Sequence, residues 1–200
     1  MMKFKMYLLL PFLMLGCNDS NDEIETGETL SSQEIEDLQF LKEEEKLARD
    51  VYLYSYDLYG QNIFKNISNS EQSHMNSVSV VLEKYNIEDL SFEERGRFSN
   101  VVLQNLYDEL VNLCERSLED ALIVGATVED LDINDLNTFI LNTDHQDIED
   151  MYQKLNCGSR NHLRGYNTNL ENLNVVYDPQ FISVEQYEDI INDSHENCNN

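Results

Sequence analysis

Helix breakers are scarce in this chain, which has two prolines and seven glycines in 200 residues. No sustained period-two alternation of apolar and polar residues offers a strand signal in their place. Apolar residues recur instead at helical spacing, so the expected fold is all-α, a single domain with a real core. Ser31-x-x-Glu34 is a capping box that opens a first helix of about 33–59, and Gly60 closes it. A second helix runs from about Asn62 to Tyr85. The long connection from Asn86 to Arg116 carries a short helix near Val101 to Leu113. Ser117-x-x-Asp120 caps the third bundle helix, which fades near Asn142, and the fourth runs from Asp144 or His145 to about Leu170. Ser183-x-x-Gln186 caps a last short helix, Val184 to Ile191. The bundle is thus expected over 33–192, followed by a disordered tail over 193–200.

Polar residues interrupt the apolar faces of all four long helices. Glu71 and His74 lie three residues apart on the stripe formed by Ile63, Ile67, Val78, Val81 and Leu82, and a polar pair on a buried face needs partners. Glu45 sits in Glu45-x-x-Ala48-Arg49-x-x-Tyr52, Glu129 in Glu129-x-x-Asp132, and His162 in Ser159-x-x-His162. Residues three or four apart share a helix face, so four such helices can enclose one carboxylate and histidine cage. The expected metal ligands are Glu45, Glu71, His74, Glu129, Asp132 and His162, and the expected cofactor is iron or manganese, as one or two ions. Glu43 or Glu44 facing inward in place of Glu45 is the alternative. Tyr52 and Tyr166 fall where their phenols could face the metals, a spacing that ordinary core packing explains equally well. His145 and His195 are expected at the surface. Gly158 in mid-helix implies either a close approach to the backbone or a break.

These residues carry a resemblance. The runs Glu43 to Tyr52, Ser70 to Met75, Leu122 to Asp132 and Gly158 to Leu163 resemble the ferritin-like superfamily, and more closely an uncharacterised bacterial and archaeal domain family within it, over about residues 35–192. The Glu-x-x-Ala-Arg-x-x-Tyr spacing is similar to that of the rubrerythrin group. The resemblance implies a ferritin-like four-helix bundle with a long connection between helices two and three. It also implies a di-metal site with Glu45 from the first helix, Glu71 and His74 from the second, Glu129 from the third and His162 from the fourth. Ser159 stands where the superfamily usually has a second bridging glutamate, and Asp132 is the carboxylate able to replace it.

At the N-terminus, Lys3 and Lys5 precede the apolar run Met6 to Leu15, and then Gly16-Cys17. That run is too short to span a bilayer and reads as an export signal over 1–16. Leu13-Met14-Leu15-Gly16-Cys17 resembles a bacterial lipobox with Met14 in place of leucine. The resemblance implies a lipid on Cys17, an acidic tether over 17–32 and a bacterial envelope location outside the cytoplasm. A formal charge of −26 repels phosphate backbones, so nucleic acid is excluded as a partner while cations are favoured. The expected partners are metal ions and, through the anchor, a membrane; a homodimer stays open. With Cys17 lipidated, Cys114, Cys157 and Cys198 are an odd set that allows at most one bridge. No Cys-x-x-Cys pair supplies a built-in electron-transfer module. The function expected is oxidation of ferrous iron, or reduction of oxygen or peroxide, at the di-metal site, with an external electron donor. A non-enzymatic envelope protein with a degenerate or structural metal site is the alternative.

Overall fold

The computed structural model describes residues 29–198, all of whose regular elements are α-helices: α1 (Ser32–Tyr59), α2 (Asn62–Lys84), α3 (Val101–Cys114), α4 (Leu118–Asn142), α5 (Gln146–Asn172) and α6 (Val184–Asn192). The expected signal segment, Cys17 and most of the tether lie outside these residues. None of the described helices is long and apolar enough to cross a membrane.

Local chemistry sets the helix ends. Ser31 Oγ accepts from the Glu34 amide at 3.1 Å while the Ser31 amide donates to Glu34 Oε2 at 2.8 Å, so both halves of the capping box form. Gly60, at φ 65°, takes the left-handed turn that ends α1 without a Cβ penalty. Asn100, Ser117 and Ser183 cap α3, α4 and α6 by accepting from first-turn amides.

Helices α1 and α2 pair, as do α4 and α5, and the pairs close through α1 on α4 and α2 on α5 into a four-helix bundle. α3 lies against α1 and α4. The core divides into two apolar layers. One gathers Leu38, Leu41, Val78, Leu82, Leu136 and Ile148, and the other Val51, Phe64, Leu122, Ile133, Leu163 and Leu170. Between them, at residues 44–45, 71–74, 129–132 and 159–162, all four bundle helices place polar side chains. Each buried Leu or Phe contributes on the order of 1.5–3 kcal/mol, whereas unpaired polar groups at the same depth cost energy, so the middle layer is there at the expense of stability.

The first helix is buried on nearly every side, because α2, α3, α4 and the 85–100 connection surround it. Lys46, 0% exposed, pairs with Asp50 at 2.7 Å, donates to the Glu94 and Arg97 carbonyls, and lies 4.3 Å from the centre of the Phe98 ring. Asp50 also accepts from Arg49 and from the Gly96 amide. This pair therefore fastens the long connection to α1. Asp50→Ala leaves a buried ammonium without its counter-charge and is expected to cost about 3–5 kcal/mol, read as a lowered urea midpoint.

The C-terminal end departs from expectation. Asp130, fully buried, accepts from Tyr177 Oη and from the amides of Gln180, Phe181 and Ile182, which ties the segment before α6 to α4. The tail from 193, expected to be disordered, is docked as far as residue 198. Glu196 makes ion pairs with Arg160 at 2.5 Å and Arg164 at 2.8 Å, and Cys198 is disulfide-bonded to Cys157 on α5. Two cationic side chains and a covalent link outweigh the entropy of ordering six residues. Among the described residues Cys114 is the free thiol, buried against Ser55.

Candidate metal centre

Five of the six expected ligands converge in the polar layer. Glu45, Glu71 and His74 form one group whose ligand atoms all lie within 4.8 Å of one another, and Glu71, Glu129 and His162 form a second. Glu71 belongs to both. Its Oε2 lies 2.8 Å from His74 Nδ1 and its Oε1 lies 2.9 Å from His162 Nδ1. His74 Nδ1 is also 3.1 Å from Glu45 Oε2, and His162 Nδ1 is 3.3 Å from Glu129 Oε2. The two imidazole rings stack with centres 5.5 Å apart.

Each side chain is aimed by its helix. The three-residue step from Glu71 to His74 puts both on one face of α2. The choice among three consecutive glutamates on α1 turns out to be no choice, since all three are buried and point in different directions. Glu43 turns toward α3, where its carboxylate accepts from the Ser99 amide at 2.7 Å, from Ser99 Oγ and from the Asn100 amide, an anion at a helix N-terminus. Glu44 faces α4 and its Asp132 and Asp135, and Glu45 faces His74.

Surrounding groups orient the ligands. Tyr52 Oη donates to Glu129 Oε1 at 2.5 Å, leaving Oε2 toward His162. Ser70 Oγ lies 2.9 Å from His162 Nε2, which leaves Nδ1 as the ring's inward atom. The Tyr166 ring packs on Tyr52 and Phe64, and its hydroxyl, with no hydrogen-bond partner, makes no contact of the kind Tyr52 makes. Gly158 resolves in favour of close approach: α5 runs unbroken through it, and a Cβ there would stand 2.6 Å from His74 Nε2. Asp132 is buried next to the centre but outside both ligand groups, because Ser159 Oγ donates to its Oδ2. His145 is not a free surface group, since its Nδ1 lies 2.6 Å from Glu34.

The electrostatics are those of a site short of positive charge. Burial pushes Glu45 up to about 7 against the opposing pull of His74, and burial with the charge of Glu71 does the same to Glu129. Burial would raise Glu71 too, but the two imidazolium rings hold it low. Burial would lower the histidines; instead Glu45 and Glu71 raise His74 well above its ordinary value, and Glu71 with Glu129 brings His162 up to about 10. Burial and the charges of Asp132 and Asp135 drive Glu44 up, and burial with Glu45 and Glu129 drives Asp132 up.

The atoms left unsatisfied fit a metal. Glu45 Oε1, Glu71 Oε1, His162 Nδ1, Asp132 Oδ1 and both oxygens of Glu44 are buried without a hydrogen-bond partner. His162 Nδ1 and Glu71 Oε1 are close, yet not aligned as donor and acceptor. Of these atoms, those of Glu45, Glu71 and His162 belong to the two groups that share Glu71 and could hold metal ions, whereas Glu44 and Asp132 lie outside both groups.

A helical bundle with carboxylates and histidines in a mid-bundle layer defines a protein of ferritin-like type. The family described as an uncharacterized protein domain, DUF2202, matches residues 34–194, and the chain belongs to it. It is 50% identical over 168 residues to the uncharacterized protein MJ0754 of Methanocaldococcus jannaschii, which covers 84% of this chain and 91% of that protein. The crystal structure of the hypothetical protein MJ0754 superposes with a TM-score of 0.83 at 49% identity, over 84% of this chain and 97% of that one.

Sequence reasoning did not find Ser70, or Glu44 as a buried group in its own right. Ser70 has no local signal, because its role depends on α5. Glu44 carried one in the unbroken run of three acids on a helix with few exposed positions.

Proposed function

We propose that this protein binds two transition-metal ions, iron or manganese, with Glu71 shared between them, and that it oxidises ferrous iron with oxygen or peroxide. The observation that carries the reading is the double membership of Glu71 in two ligand groups whose inward atoms lack other partners. Two such ions supply one electron each to an oxidant. The chain's own residues do the rest. Glu45 with His74, and Glu129 with His162, would hold one ion each from opposite sides of Glu71, while Tyr52 and Ser70 fix the orientation of Glu129 and His162. Loading displaces the imidazole protons, so affinity falls as pH falls.

Ser159 in place of a second bridging carboxylate favours a second reading, in which the metal serves stability alone. Against it stands Asp132, held beside the centre by Ser159: with Glu45, Glu71 and Glu129 it makes four buried carboxyl groups at or beside the site, whose ionisation would balance two divalent ions. The same proposal puts the bundle in the bacterial envelope, outside the cytoplasm, on a lipid at Cys17. The signal pattern over 1–16 and a disulfide, which oxidising compartments preserve, support it.

Adding ferrous ion to the metal-free protein in air is expected to consume oxygen, and Glu71→Ala to abolish that consumption. Free metal at a hundredfold over Kd should stabilise the fold by about 2.7 kcal/mol per site, seen as a raised melting temperature. Raised melting without oxidant consumption would favour the structural reading. A melting temperature indifferent to iron, manganese and chelator would refute both.

A further inference from the structure

The disulfide lies against the same centre. Cys157 immediately precedes Gly158, whose backbone packs on the His74 ring. Cys198, His74, His162, Gly158, Asn161 and His195 all line one cavity of about 320 Å³. The ligand carboxylates are sealed, at 1–2% exposure, while His74 and His162 keep 12% and 11% on the side this cavity opens. The metal site therefore meets the outside through its two imidazole rings, beside a sulfur pair.

The bridge is one of several contacts that fasten the tail. Arg160 and Arg164 hold Glu196, and Asn161 donates to the Glu196 carbonyl at 3.1 Å and to Cys198 Sγ at 3.3 Å. With the sulfur–sulfur bond open, these contacts keep Cys198 close to Cys157, as a reversible pair requires. Cys198 is half-buried and reachable from solvent, where exchange with an outside thiol must begin. Cys114 has neither property: it is fully buried, and burial pushes its thiol up to about 11.

We propose that Cys157 and Cys198 form an on-board two-electron donor for the metal centre, a role that rests on the redox reading given above. Two ferrous ions, one hydrogen peroxide and two protons give two ferric ions and two waters. The two thiols then give up two electrons and two protons: each ferric ion takes one electron, a sulfur–sulfur bond forms between Cys157 and Cys198, and the protons leave through the cavity. A soluble dithiol reopens the bridge by exchange at Cys198 and is itself oxidised to a disulfide.

The test uses the mature chain loaded with ferrous iron, its disulfide opened by a thiol reductant that is then removed, all without oxygen. One hydrogen peroxide per chain should leave the iron ferrous and abolish alkylation of both Cys157 and Cys198, with Cys114 unchanged. A second peroxide should leave the iron ferric. In Cys198→Ser and in Cys157→Ser the first peroxide should already do so. Wild-type iron that stays ferric after one peroxide, with both thiols still open to alkylation, overturns the donor role and leaves the metal reading standing. No peroxide consumption by any of the three proteins overturns the redox reading of the centre and the donor role together.

Discussion

Glu71→Gln is expected to abolish binding at both metal positions at once, whereas Glu45→Gln and Glu129→Gln should each remove one. The asymmetry follows from membership. Glu45 belongs only to the group with His74, Glu129 only to the group with His162, and Glu71 to both. Loss of an outer hydrogen-bonding partner already costs metal sites about 10–100-fold in affinity, so loss of a direct carboxylate should cost at least about 100-fold at each position. Manganese or cobalt titration, with bound metal counted per chain, reads the result directly. Glu71→Gln that retains one ion at wild-type affinity would dissolve the shared-carboxylate arrangement. The same substitution acts on the metal-free protein, because Glu71 is the buried counter-charge of two imidazolium rings. Glu45 and Glu129 remain beside the rings, so the loss in the absence of metal is expected to fall below the roughly 3–5 kcal/mol of a fully unpaired buried charge.

How far such a site can be read before folding depends on whether its determinants are local. The capping box at Ser31, the caps at Ser117 and Ser183 and the stop at Gly60 involve neighbours within four residues, and the helices begin and end within about two positions of expectation on those signals. Glu71 and His74 were legible for the same reason, since their spacing and their apolar setting lie on one helix. The role of Glu44 was not, because periodicity assumes that a helix has one buried face, and α1 has several. Arg160 and Arg164, flanking His162, give no hint in sequence that they hold Glu196 more than thirty residues on, or that the tail closes over α5. The partnership of Asp132 with Ser159 crosses from α4 to α5 in the same way. In each of these cases the missing information was a distant partner, which no local pattern contains.

Gly158→Ala should separate the two metal positions from the opposite direction, by steric means. In the interior of a helix, alanine is ordinarily better than glycine by about 1 kcal/mol, so local propensity favours the change. The added Cβ, however, would lie 2.6 Å from His74 Nε2 and 2.8 Å from Cε1, and the ring must swing away. Swinging it withdraws Nδ1 from Glu45 and Glu71, the atoms with which it would share an ion. His162 is held separately by Ser70 and does not depend on Gly158. The variant is therefore expected to keep its helical circular dichroism, to bind one ion at near wild-type affinity and to lose at least about tenfold at the other, in the range that misoriented ligands cost. Gly165→Ala is the control on the same helix: its Cβ meets only the flexible end of Ile63 at 3.2 Å, so it should bind both ions and melt no lower than the parent. Two ions bound by Gly158→Ala at unchanged affinity would count against His74 as a ligand, because the ring as placed leaves only 2.6 Å for the added Cβ.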